Sequence, residues 1–346
     1  MKITRANWFI SLAITAFLSV GLLSGCQQNN DTNPTTLQQQ QDPSTIDLQH
    51  AIDIQNRYTD QVMSIAGVNG TGVGLEGSTP VVYVFTQTEN VTGIPTKLED
   101  VKTHVEYIGE VKAFGGKPSS GYTGTYRGPV PSGVSTGNDK ECASGTIACV
   151  VKDASDNYYF LSNNHVFARE NAAAIGERED QPGRYDKNCG ASGQIASLSN
   201  FIAINLSGGN NTVDCAIAQV SSGISATTTS AAGYTPSTTT VNPAVNMAVK
   251  KTGRTTGLTS GSISAINVTV NVGYDAGTGK FVGQVYIPGK VSAAGDSGSL
   301  FVTNNNTQNP VALLFAGSTN STIANPINAV LSALNVSIVP STPIGY

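Results

Sequence analysis

The stretch AAGDSGSLFV, residues 293–302, places one serine between two glycines immediately before an apolar run. Gly295 and Gly298 allow the backbone to turn tightly around Ser297, so that the amide groups of Gly295 and Ser297 converge on one point. Such a pair of donors stabilises the negative oxygen that forms when a serine attacks a carbonyl group. A polar turn before a strand would show the same tetrapeptide, so a reactive Ser297 also requires a base.

A candidate base is His165 in LSNNHVFARE, residues 161–170, which follows a run typical of a β-strand. The chain has three histidines, and the other two, His50 and His104, lie in its N-terminal part. Imidazole is the side chain that titrates near neutral pH. A lone histidine at the end of a strand is more often structural, so this assignment depends on a partner.

A carboxylate that orients the imidazole is expected between these two motifs. Asp214 in NTVDCAIAQV, residues 211–220, interrupts an apolar run, where a carboxylate is costly unless it has a partner. The alternatives, Asp180 and Asp186, lie in the polar segment EREDQPGRYDKN and are expected to be solvated loop residues. We therefore favour Asp214.

The blocks SNNHVFA, NTVDCAIA and GDSGSL resemble, in that order, the His, Asp and Ser motifs of chymotrypsin-fold (trypsin-like) serine proteases. The likeness runs from about Ser144 to Gly317. It is closer still to a group of bacterial and plant trypsin-like proteins, including the narrow-leaf type of plants, which have segments similar to KTGRTTGLTSG at 251–261. The resemblance implies two successive β-barrels with the catalytic residues in the cleft between them.

The resemblance also implies a role for each residue. Ser297 would attack the scissile carbonyl, His165 would take and return the proton, and Asp214 would hold the imidazole. Gly295 and Ser297 would bind the oxyanion. An extended peptide substrate would pair with the backbone of the residues Phe315, Ala316 and Gly317.

Two features depart from the best-known trypsin-like enzymes. Val291, six residues before Ser297, stands where those enzymes have the floor of the specificity pocket, which favours a small or apolar substrate side chain over Lys or Arg. No conventional activation site precedes the predicted barrels, so Asp296 is not expected to pair with a newly formed N-terminus. The sequence leaves its partner open.

The composition indicates a globular, mainly β chain without a nucleic-acid-binding face. Of 346 residues, 39% are hydrophobic and 12% are charged, with a formal net charge of −4. Gly72, Gly74 and Gly77 match GxGxxG, but a strand-like run follows them instead of a helix, so we predict a β-hairpin and no nucleotide site. No cofactor or metal is expected, and the expected partner is a protein or peptide substrate.

The N-terminus is typical of an exported lipoprotein. Lys2 and Arg5 precede an apolar run that ends in Leu23-Ser24-Gly25-Cys26, which resembles a bacterial lipobox with Cys26 as the lipidated residue. We therefore expect a chain tethered to the outer face of a membrane in the bacterial cell envelope. The predicted organisation is a signal peptide at 1–25, a flexible tether at 26–46, a small α+β domain at 47–115, a linker at 116–132 and a chymotrypsin-like domain at 133–346.

Export favours disulfides over zinc for the remaining four cysteines. Four cysteines allow three pairings, and proximity along the chain favours Cys142 with Cys149 and Cys189 with Cys215.

Two functions other than a peptidase remain open at this stage. The first is a binding or adhesion lipoprotein that keeps the fold without the activity. The second is an esterase, but the strict GxSxG motif is absent, and the order His, Asp, Ser differs from that of α/β-hydrolases.

Overall fold

The computed structural model describes residues 43–113 and 121–341. The signal peptide, Cys26 and most of the predicted tether lie outside these residues. The described part is mainly β, and its strands form one closed barrel and one half-barrel, the arrangement of the chymotrypsin fold. This confirms the predicted fold class. No helix in this part is both long enough and apolar enough to cross a membrane.

The described residues contain helices and strands that we number in chain order. The helices are α1 Pro43–Met63, α2 Asn164–Phe167 and α3 Ile327–Leu334. The strands before residue 114 are β1 Val68–Glu76, β2 Thr79–Thr86, β3 Lys97–Leu98, β4 Val101–Tyr107 and β5 Lys112–Ala113. The next ten are β6 Val130–Ser132, β7 Ser135–Asn138, β8 Gly145–Thr146, β9 Cys149–Lys152, β10 Tyr158–Ser162, β11 Arg178–Gln181, β12 Gly193–Phe201, β13 Asn210–Asn211, β14 Ala216–Val220 and β15 Ala226–Ser230. The last eight are β16 Ala248–Gly253, β17 Gly257–Ser262, β18 Ala265–Tyr274, β19 Gly277–Pro288, β20 Leu300–Thr303, β21 Pro310–Gly317, β22 Ser321–Pro326 and β23 Ser337–Ile338.

Two large sheets contain most of these strands. The eight-stranded sheet has the order β23-β9-β10-β14-β12-β11-β7-β8. The main path of the thirteen-stranded sheet is β17-β16-β20-β21-β22-β19-β18-β1-β2-β4-β3, with β13 paired to β19 and β5 paired to both β18 and β21. Strands β6 and β15 form a separate pair, so the predicted linker at 116–132 contains a strand.

The N-terminal segment continues the thirteen-stranded sheet. Helix α1 begins four residues before position 47, where the predicted α+β domain starts, and it buries Ala51, Ile54 and Val62 against β1 and β2. The GxGxxG stretch forms the predicted β1–β2 hairpin. Strand β1 then pairs antiparallel with β18, which joins this segment to the C-terminal half of the chain.

A core between the two large sheets brings the candidate motifs together. Leu161 of β10 and Ile217 of β14 pack in one apolar cluster with Leu300 of β20, Leu313 of β21 and α3. His165 lies just after β10, Asp214 just before β14 and Ser297 just before β20. Because β10 and β14 are antiparallel neighbours, the end of one lies beside the start of the other.

The predicted cysteine pairing is wrong. The disulfide joins Cys142 to Cys189, with 5.1 Å between their Cα atoms, while Cys149 and Cys215 are buried free thiols. Cys149 faces the apolar core between the sheets, and burial raises the pKa of its thiol to about 12. Chain proximity misled the prediction because the chain passes through β8 into the core, where Cys149 begins β9, whereas residues 184–187 pack back against β7.

The interpretation of Asp180 and Asp186 as solvated loop residues is also wrong. Asp180 lies in β11, is 1% exposed and accepts a 2.8 Å hydrogen bond from Arg178 Nε. Asp186 accepts hydrogen bonds from the buried Arg254 and from Ser135. The cationic partner of Asp180 is Arg178, which lies in the same strand. The cationic partner of Asp186 is Arg254, which lies 68 residues later in the chain. The composition of the segment reveals neither pairing.

We predict that Glu179→Gln stabilises the protein increasingly as the pH rises. Burial raises the pKa of Glu179 to about 10, so the folded chain keeps a proton that the unfolded chain loses above its ordinary glutamate pKa. The wild-type stability should therefore fall relative to the variant by up to about 1.4 kcal/mol per pH unit between about pH 5 and pH 9.

Urea unfolding of both proteins at several pH values measures this difference. The exposed Glu89→Gln variant is the control and should track the wild type. A difference between Glu179→Gln and wild type that stays constant with pH would contradict the prediction.

Candidate active site

His165 and Asp214 form a buried hydrogen-bonded pair. His165 lies in the short helix α2, where its Nδ1 is 2.6 Å from Asp214 Oδ2. An ionised carboxylate only accepts hydrogen bonds, so we place the ring proton on Nδ1. The backbone amide of His165 also lies 3.3 Å from Asp214 Oδ1. This arrangement leaves Nε2 free to accept a proton.

Three further side chains hold Asp214 in place. Tyr274 donates its hydroxyl to Asp214 Oδ2 at 2.9 Å, and Asn163 Nδ2 donates to the Asp214 carbonyl at 2.7 Å. The Asp214 amide donates to Asn325 Oδ1 at 3.0 Å. Asn325 in turn donates to Gln284 at 2.6 Å. The carboxylate is thereby compensated although its side chain is fully buried.

No local sequence pattern points to Tyr274, Asn325 or Gln284 as part of the site. Tyr274 ends β18 far along the chain from Asp214, and its local pattern is that of any strand tyrosine. Burial and the neighbouring Asp214 carboxylate raise the pKa of Tyr274 well above its ordinary value, so its hydroxyl remains a donor. Its ring also meets the His165 ring edge-on, with 6.1 Å between centroids.

The loop around Ser297 has the backbone geometry that the glycines predict. Gly295 has φ +96° and Gly298 has φ +92°, and a Cβ on Gly298 would lie 2.0 Å from the Thr146 carbonyl oxygen. Thr146 Oγ1 donates to the Gly295 carbonyl at 2.9 Å. Within the described residues, the amides of Gly295 and Ser297 donate to no acceptor. They are therefore available to a bound oxyanion.

Among the described residues, the Ser297 hydroxyl makes no hydrogen bond with His165. It lies 3.3 Å from the Phe315 carbonyl oxygen, to which it donates, and the residue is fully buried. His165 Nε2 is buried and has no hydrogen-bond partner among the described residues. Gly145 lies against both segments: a Cβ on it would lie 2.5 Å from the Val166 side chain and 3.1 Å from the Ser297 carbonyl oxygen.

Asp296 pairs with a buried lysine. Lys251 Nζ lies 3.1 Å from Asp296 Oδ2, and both side chains are fully buried. Asp296 also accepts hydrogen bonds from the amides of Thr255 at 2.8 Å and Ala293 at 3.0 Å. Burial lowers the pKa of Lys251, and the Asp296 carboxylate opposes that shift. An internal cation thus holds the loop that precedes Ser297.

The predicted substrate-binding residues lie in two different environments. Val291 is 6% exposed and packs in an apolar core with Phe301 and Ile287, so its role in specificity stays a prediction. Ala316 and Gly317 lie at the end of β21 and pair with β22 on one side and β5 on the other.

A cavity of about 260 Å³ opens beside His165. The carboxylate side chains of Glu141, Glu170 and Asp275 line it, and burial raises the pKa of Glu141. Ala113 of β5 lines the same cavity. The described residues contain no group of three His, Cys, Asp or Glu side chains that could hold a metal ion.

Comparison with known proteins gives matches among solved structures. No protein-family model matches the chain, and no curated relative matches it. A glutamic-acid-specific serine protease is 22% identical, with a TM-score of 0.44, and the match covers 61% of this chain and 100% of the other. Protease A of Thermobifida fusca is 18% identical, with a TM-score of 0.44 and coverages of 62% and 100%. Cellulomonas bogoriensis chymotrypsin is 18% identical, with a TM-score of 0.42 and the same coverages.

These structures are those of proteases, but the likeness is distant. At identities of 22% or less and TM-scores of 0.44 or less, we draw the function from the geometry of the site itself.

We predict that Lys251→Met strongly destabilises the protein. The change leaves the Asp296 carboxylate buried without its cation, which typically costs about 3 to 5 kcal/mol. The matched control is Lys250→Met, which removes the neighbouring cation that lies 4.8 Å from the centre of the Tyr234 ring. That contact is worth about 1 kcal/mol or less. Urea unfolding gives both values, and equal losses in the two variants would contradict a structural role for the ion pair.

Proposed function

We propose that this chain is a serine-type endopeptidase that is exported and held to a membrane by a lipid on Cys26. The observation that carries the catalytic part is the buried His165–Asp214 pair, in which His165 Nε2 has no hydrogen-bond partner among the described residues. Within the described part of the chain, the amides of Gly295 and Ser297 donate to no acceptor, which supports them as the donors for an oxyanion. Together these groups supply a base, a nucleophile and charge stabilisation.

In the proposed reaction, the Ser297 oxygen attacks the carbonyl carbon of a peptide bond while its proton passes to His165 Nε2. The amides of Gly295 and Ser297 bind the negative oxygen of the tetrahedral intermediate. His165 then protonates the leaving amine, which departs as the acyl-enzyme forms. Water, deprotonated by the same imidazole, attacks the acyl-enzyme and releases the acid with a free Ser297.

The proposed reaction requires one rearrangement of the described site. The Ser297 hydroxyl donates to the Phe315 carbonyl, so it must rotate towards His165 before it can transfer its proton. Rotation of one serine side chain about a single bond is a small conformational change. Val291, in place of a charged residue, supports a preference for a small or apolar side chain on the acyl side of the cut bond.

The same hydrogen bond favours a second candidate function. If Ser297 stays bound to the Phe315 carbonyl, the chain is a peptide-binding lipoprotein without turnover. It would then use the protease fold only as a binding scaffold.

We expect a fluorophosphonate probe to label Ser297 covalently at neutral pH. The label should be absent from Ser297→Ala, and its rate should fall by at least about 100-fold in His165→Ala, because general-base catalysis contributes about that much or more. Ser260→Ala, which removes an exposed serine of β17, is the control and should label like the wild type. Intact-mass measurement gives the stoichiometry. No labelling of folded wild type would favour the binding protein.

We further expect Cys26 to carry the lipid. In cells fed an alkyne-bearing fatty acid, the wild-type chain should take up the label and sediment with membranes. Cys26→Ser should lose both properties, because a serine cannot form the thioether on which the anchor is built. The matched control is Cys149→Ser, which replaces a cysteine that forms no disulfide and should keep the fatty-acid label. Uptake of label by Cys26→Ser would contradict the anchor.

A further inference from the structure

Strand β5 lies on the edge of β21 that leads into the candidate site. Ala113 is opposite Ala316, and Lys112 is opposite Gly317, in antiparallel register. On its other side, β5 pairs in parallel with β18, with Lys112 opposite Gly273. The segment therefore fills the gap between the two strands.

Buried apolar contacts and hydrogen bonds anchor the residues that lead into β5. Ile108 and Val111 are each 2% exposed and pack with Phe315 and Phe281. The Gly273 amide donates to the Val111 carbonyl at 3.0 Å. The Ser318 hydroxyl donates to the Ile108 carbonyl.

This segment ends beside the reactive groups. Ala316 follows Phe315, whose carbonyl accepts the Ser297 hydroxyl, and Ala113 lines the cavity that contains His165. A peptide that adds an antiparallel strand to an exposed sheet edge makes this kind of backbone pairing. The backbone groups that would hold such a peptide at Ala316 and Gly317 are taken by β5.

We propose that Val111–Ala113 acts as an internal competitor for the β21 edge at Ala316–Gly317, the edge where the sequence predicts that an extended peptide substrate binds. The inference rests on the proposed function, because the expected effect of this competition is inhibition of peptide hydrolysis. A tethered segment acts at an effective concentration in the millimolar range, so a free peptide of ordinary affinity competes poorly with it. Release of β5 opens the edge to substrate.

The double variant Lys112→Pro/Ala113→Pro tests this directly. Successive amides of a strand point to opposite neighbours, so two consecutive prolines remove donors towards both β18 and β21. Hydrolysis of a mixed peptide library should rise at least about tenfold over wild type. Lys112→Ala, which keeps both amides, is the control and should remain as slow as the wild type. Circular dichroism and thermal melting verify that each variant is folded.

Fluorophosphonate labelling separates the two proposals, because this small probe does not need to pair with β21. Labelled Ser297 with equal peptide hydrolysis in wild type and double variant overturns the internal competitor and leaves the peptidase intact. Labelled Ser297 with hydrolysis only in the double variant supports both.

A binding measurement tests the edge without relying on catalysis. A fluorescent peptide with the sequence of residues 107–113, YIGEVKA, should bind the double variant carrying Ser297→Ala, and a scrambled peptide should not. Wild type carrying Ser297→Ala should bind the same peptide at least about tenfold more weakly, because its own segment competes. Equal affinity in the two backgrounds, or no binding to the opened edge, would overturn the proposal even if the chain has no peptidase activity.

Discussion

The buried carboxylate of Asp214 is the constraint on which the arrangement of the site depends. A fully buried charge is stable only when hydrogen bonds and opposite charges replace the water that it loses. In this chain the replacement comes from the His165 ring, the His165 amide and the Tyr274 hydroxyl. These donors come from α2 after the eight-stranded sheet and from β18 of the thirteen-stranded sheet, so satisfying one carboxylate links the two sheets. The same bonds set which nitrogen of His165 carries the proton.

A second buried charge controls the other half of the site. Asp296 precedes Ser297, and its carboxylate accepts hydrogen bonds from the Lys251 ammonium and from backbone amides of two loops. In the resulting loop, the amides of Gly295 and Ser297 find no acceptor among the residues that the structure describes. The partner of Asp296 is internal to the chain, so this ion pair does not depend on a cleaved N-terminus.

The N-terminal segment, which includes β1 and β5, belongs to the same sheet as the strands that carry the candidate site, so the proposed competition by β5 depends on the architecture of that sheet. Because β1 pairs with β18, and β5 lies between β18 and β21, one continuous sheet carries both this segment and the strand beside Ser297. Tyr274, which holds Asp214, ends the same β18 strand. A displacement of β5 therefore changes the surroundings of the strand that supports the carboxylate as well as access to the β21 edge.

The sequence by itself determined the features that depend on local pattern. It predicted the mainly β fold, the β1–β2 hairpin and the identities and order of His165, Asp214 and Ser297, because periodicity, turn residues and a charge inside an apolar run are visible in short stretches. Only the tertiary structure decided which side chains meet across large separations. The Cys142–Cys189 bond, the Arg254 partner of Asp186, the Lys251 partner of Asp296 and the Tyr274 bond to Asp214 all join residues from different strands or loops. Such contacts depend on strand order and register, which bring distant residues together without leaving a local signal in the sequence.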